Sequence, residues 1–117
     1  MSTIAGPDLR ARPPRSGRET LGRYTWLARL ADKARAAPAQ TNGDYVAYCP
    51  LSIGFLEHAG VSQEVFDQLI EQGASDEQLI SYFDKHVSTQ SRESANRFIL
   101  DEHASNLDEQ DAEEGRA

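Results

Sequence analysis

A chain of 117 residues with 38% apolar side chains and a net charge of −7 is one domain's worth of sequence with a modest core. Such a chain can bury roughly 60–68% of its unfolded surface, so neither a disulfide nor a metal is needed to hold it together. The acidic excess argues against non-specific binding to nucleic acid or to an anionic membrane.

Residues 1–15 read as an extended basic arm, because Pro7, Pro13 and Pro14 remove backbone donors and disfavour helix at the residue before each. Ser16 and Glu19 have capping-box spacing, which Gly22 opposes as the start of a long helix. A first helix is expected from about Tyr24 to Ala37. Leu27, Leu30, Ala31 and Ala34 form its apolar stripe, and Pro38 ends it. Asn42-Gly43 marks a turn, and Tyr45-Val46-Ala47-Tyr48 has the character of one short extended segment.

Pro50 suits the start of a short helix reaching Ala59. Ser62 then caps a helix ending near Gln72, with Gly73 just beyond it. Ser75 and Gln78 have the spacing of a second capping box, opening a helix from Asp76 to about Val87. The short Gly-containing link makes these two an αα-hairpin. A last helix is expected over Ser91–Asn106, and the acidic run from Asp108 should be a solvated, disordered tail.

The expected fold is therefore all-α: a single domain of four to five short helices at 16–107, between the arm at 1–15 and the tail at 108–117. Its core should centre on Leu27, Leu30, Phe55, Leu56, Phe66, Leu69, Ile70, Leu79, Ile80, Phe83 and Phe98. Leu100 and Leu107 lie off the main stripe, a hint of weak self-association.

Charge is distributed unevenly along this framework. Residues 1–36 hold eight of the twelve bases and a net +5, whereas 37–117 carry a net −12. A cationic front half on an acidic body implies either internal docking or a local anion site. The first helix concentrates the question in Arg29, Asp32, Lys33 and Arg35, which lie away from the Leu27/Leu30/Ala31 stripe. Asp32 is spaced to pair with Arg29 or Arg35, as on an ordinary solvated face. The functional alternative is a carboxylate or phosphate held bidentately by an arginine, with Arg15 and Arg18 joining if the arm folds back.

Cys49, beside Tyr48, is the only cysteine, so no internal disulfide forms, which fits a reducing compartment. The helix starting near Pro50 would favour its thiolate, although a lone cysteine more often packs as a small hydrophobe. His58, His86 and His103 lack metal-ligand spacing, and no cofactor is implied. The Ser62–Val87 hairpin has helix-turn-helix form, but its second helix is acidic and would repel DNA. No apolar run approaches a membrane span, and Pro and Arg interrupt the first twenty residues, so no secretory signal and a cytoplasmic location are expected.

Pro13-Pro14-Arg15-Ser16, Leu21-Gly22, Tyr24, Leu27, Arg29-Leu30 and Asp32-Lys33-Ala34-Arg35-Ala36 are followed in order by Tyr48-Cys49-Pro50-Leu51, Gly60-Val61 and Gly73-Ala74-Ser75-Asp76, with no internal repeat. In this combination the chain resembles the bacterial family catalogued as domain of unknown function 5069, over roughly residues 8–87. Arg23 and Ala28 depart from that pattern and favour a more continuous first helix. The resemblance implies a small cytosolic domain and brings no activity or functional residue with it. The leading expectation is a non-enzymatic interaction or small-anion-binding module, sited where the basic helix meets Tyr45–Pro50. The contrasting one is an enzyme using Cys49 or Tyr48 beside Asp32, Lys33 and Arg35.

Overall fold

Trp26 sets where the first helix starts. The computed structural model describes residues 6–116, and Trp26 takes a left-handed backbone with φ +69°. A non-glycine residue there cannot continue a right-handed helix. So α1 (Leu27–Ala39) begins later than the apolar spacing predicts, despite Arg23 and Ala28. The residues before it close a tight turn instead. Leu21 and Tyr24 exchange backbone hydrogen bonds of 2.9 and 3.2 Å around Gly22, at φ +62°. Pro38 falls inside the last turn of α1, and the chain leaves through Gln40 in a left-handed conformation.

The other helices are α2 (Pro50–Ala59), α3 (Gln63–Glu71), α4 (Asp76–His86), α5 (Thr89–Arg97) and α6 (Ala104–Glu113). Among the described residues there are thus six α-helices, against the four or five expected, and no strand; Tyr45–Tyr48 is irregular rather than extended. Ser62 caps α3 by accepting from Val65 N, and Ser75 and Gln78 close the reciprocal box at α4. The expected Ser91–Asn106 helix is three pieces. Ser88 caps α5, a π-helical turn spans Phe98–Glu102, and His103 leaves helical geometry before α6. That turn packs against α2 at Gly54, where an added Cβ would stand 2.2 Å from the Phe98 ring.

Composition predicts a disordered tail from 108, yet α6 continues through Glu113. The reason is the positive charge of Arg18 and of Arg29 on α1. Asp108 and Asp111 are one turn apart and both meet Arg18, while Glu114 meets Arg29. The arm itself is docked: Leu9 and Pro14 are buried, and Leu9 N donates to Thr41 O at 2.7 Å. Its first five residues lie outside the described ones. Ser16 caps nothing and donates instead to Asp111 Oδ1 at 2.8 Å.

Around α1 the core gathers Trp26, Tyr24, Leu27, Leu30, Phe55, Phe66, Leu79, Phe83, Ile99 and Leu107. Phe83 is its hub, edge-on to Tyr24 and Phe66 and stacked on Phe55. Leu69, Ile80 and Phe98, expected at the centre, are partly buried at its margin. Leu107 is in the core, which leaves only Leu100 exposed of the pair that hinted at self-association. No described helix is long and apolar enough to cross a membrane.

Candidate functional site

The charged side of α1 is not solvated. Arg29, Lys33 and Arg35 are 3%, 4% and 9% exposed, because the arm, the start of α4 and the end of α6 all close over that side. The expected pairing within the helix is replaced by pairing across the chain. Asp32 accepts from Arg15, at 2.9 Å from its backbone N and 3.0 Å from Nη2. Arg15 Nη1 also reaches Asp76 Oδ2 at 2.9 Å, and Arg35 Nη1 donates to Asp76 Oδ1 at 2.8 Å. Arg35 Nη2 donates to Ala74 O at 3.0 Å. Partial burial would raise the Asp76 pKa, but Arg15 and Arg35 outweigh it and hold the carboxyl below its ordinary range. Arg18, with Asp108 at 2.8 Å and Asp111 at 3.1 Å, forms a separate, exposed junction.

Arg29 is the most built of these cations. Its guanidinium carbon lies 5.6 Å from the centroids of both the Trp26 and Tyr45 rings. Nη1 and Nη2 donate to the two Glu114 oxygens at 2.9 and 2.7 Å, the bidentate fork that a guanidinium offers a carboxylate or phosphate. Tyr45 Oη donates to Glu114 Oε2 at 3.1 Å, and Arg116 makes a further short contact to Oε1. Burial pushes the Glu114 carboxyl up, but Arg29, Tyr45 and Arg116 together hold it below its ordinary value. Arg29 Nε is buried without a partner. A surface cleft of about 300 Å³ opens beside this group, lined by Tyr45 and Glu114 with Arg10 and Arg12 at its rim.

One turn further along α1, Lys33 Nζ lies 5.1 Å from the Trp26 ring centroid and 3.4 Å from Cys49 Sγ. Cys49 stands at the N-cap of α2, 3.6 Å from Ser52 Oγ, which itself accepts from Trp26 Nε1 at 3.0 Å. Burial lowers the Lys33 pKa. Burial raises that of Cys49, yet Lys33 and the hydrogen bonds from Ser52 outweigh it and bring the thiol below its ordinary value.

So the structure brings Lys33 and Cys49 together, and separately Arg15, Asp32 and Arg35. Tyr48 belongs to neither group. Its hydroxyl donates to Asp67 on α3 at 2.8 Å, and burial followed by that carboxylate pushes its pKa up. The histidines stand apart: His58 bonds Ser94 and stacks on Phe98, His86 lies against Tyr82, and His103 bonds Asn106. Trp26, and Tyr45 from the expected Tyr45–Pro50 segment, complete the site with Ser52 and Glu114, and only the last two went unmarked in the sequence. Trp26, Arg29 and Lys33 fall at i, i+3 and i+7, and Cys49 and Ser52 at cap spacing, so those alignments were readable. Nothing local marks Glu114.

The chain belongs to the family described as Domain of unknown function (DUF5069), whose model matches residues 11–116. That span takes in the arm from Ala11, all six helices and Glu114. None of the curated proteins matches the chain.

Proposed function

We propose that this domain binds a small carboxylate- or phosphate-bearing anion at Arg29, between the Trp26 and Tyr45 rings, with Glu114 as the internal occupant of the same position. The observation that carries the reading is the Arg29 fork itself. A guanidinium flanked by two aromatic rings, with a phenol donor alongside, is an anion-recognition arrangement. The adjoining cleft is also lined by Arg10 and Arg12, with Glu113 beside them. The other expected members of the site serve elsewhere: Arg15, Arg18 and Arg35 hold carboxylates on α1, α4 and α6. An enzyme built on Tyr48 has less support, since its hydroxyl is engaged by Asp67 and only Lys33 of the Asp32, Lys33 and Arg35 group reaches Cys49.

Glu114→Gln removes the competing charge and keeps the side-chain shape. Its melting temperature, measured with phosphate or succinate at constant ionic strength, should rise. An anion present at about twenty times its Kd adds about 1.8 kcal/mol by linkage, which is several degrees for a domain of this size. Wild type should respond less, and Glu114→Gln/Arg29→Met not at all. An equal response in all three proteins, or none in Glu114→Gln, contradicts the reading.

A further inference from the structure

Lys33 is the least accounted-for charge in the molecule. It is 4% exposed, and among the described residues no carboxylate lies within ion-pair distance of it. Its one hydrogen-bond partner there is Cys49 Sγ. An ammonium taken out of water needs a counter-charge. The nearest charged pair, Arg29 and Glu114, is already joined to itself at 2.7 Å. The group that can supply the missing charge is the thiol, as a thiolate.

Three independent features favour that ionisation. The Lys33 ammonium is aimed at the sulfur, Cys49 sits at the N-cap of a ten-residue helix, and Ser52 Oγ lies 3.6 Å from Sγ. Cys49 is only partly buried, so a small reagent can reach it. We propose that Cys49 is a peroxide-oxidisable thiolate, stabilised by Lys33 and converted by hydrogen peroxide to a sulfenic acid.

In this step a sulfur lone pair attacks one peroxide oxygen, forming the S–O bond. The O–O bond breaks and its electron pair leaves on the second oxygen as hydroxide. Lys33 Nζ protonates that hydroxide, so water departs and a neutral amine remains. Sulfur loses two electrons and peroxide gains them. The chain holds no second cysteine, so reduction requires an external thiol. That thiol condenses with the sulfenic acid to a mixed disulfide, releasing water, and a second equivalent restores Cys49.

The test treats the full chain with hydrogen peroxide at pH 7 and traps the sulfenic acid with dimedone for mass spectrometry. An unperturbed thiol is only a few per cent ionised at that pH, so Cys49 should react about tenfold faster than free cysteine. Lys33→Met should lose most of that advantage, and Lys33→Arg, which keeps the charge but cannot give up a proton, should retain only part of it. A wild-type rate within about twofold of free cysteine overturns the proposal, as does an unchanged rate in Lys33→Met. If Lys33→Met fails to fold, the ultraviolet thiolate titration of wild type decides, and an inflection at about 8.5 or above overturns the proposal.

Discussion

Arg29 and Lys33 sit one turn apart on α1, both beside the Trp26 ring and both almost wholly buried, yet they are satisfied in opposite ways. Arg29 receives a carboxylate from Glu114, 85 positions away, in a two-point fork with a tyrosine donor alongside. Among the described residues Lys33 has only a sulfur as hydrogen-bond partner. The planar guanidinium fixes the geometry of its partner, whereas the compact ammonium accepts whatever counter-charge is near. One cation therefore closes the chain on itself, and the other changes the chemistry of a neighbour.

The contrast breaks most visibly at Arg29. Arg29→Ala removes the two-point partner of Glu114, itself only 7% exposed, and leaves it the single cationic contact to Arg116. It should lower unfolding free energy by about 3–5 kcal/mol in urea denaturation. Arg29→Met/Glu114→Gln should recover much of that loss, since it removes both charges and keeps the volume. A loss below about 1 kcal/mol for Arg29→Ala would mean that the pair is solvated rather than buried.

The same logic grades the two arm junctions. Arg15 is part-buried and shared between Asp32 and Asp76, so Arg15→Ala should cost about 1–3 kcal/mol. Arg18 faces an Asp108 side chain that is 74% exposed, and Arg18→Ala should cost about 0–1 kcal/mol. Equal losses would remove the distinction between a structural and a surface junction.

Acid provides the mildest test. Glu114 and Asp76 have folded pKa values below their unfolded ones, so their contribution is complete above about pH 5 and is lost as pH falls through the folded values. Unfolding free energy should therefore decline below about pH 5, and less steeply in Arg29→Met/Glu114→Gln. An identical slope would leave Glu114 out of the account.

Much of the frame was legible in the sequence because its signals are local. Ser62, Ser75 with Gln78, and Gly73 mark helix ends through hydrogen bonds within a few residues, and Pro50 marks one by its fixed φ. The site was legible only in part. Arg29, Lys33 and Cys49 could be named from their chemistry, and the region where α1 meets Tyr45–Pro50 could be named from the clustering of charge and aromatic residues. That Arg29 and Lys33 would be buried could not, because their covering layer comes from the arm and α6. The acidic end read as disordered because its partners, Arg18 and Arg29, are more than eighty positions away. Trp26 read as helix because nothing local announces its left-handed backbone.

The initial asymmetry of charge thus resolves largely into internal docking, with Arg29 as the position where we propose that an outside anion competes. Isothermal titration of Glu114→Gln with inorganic phosphate tests that most directly. The account predicts one phosphate bound per chain, weaker binding by wild type, and none once Arg29→Met is added. No heat from Glu114→Gln, or the same heat from the double variant, would contradict it.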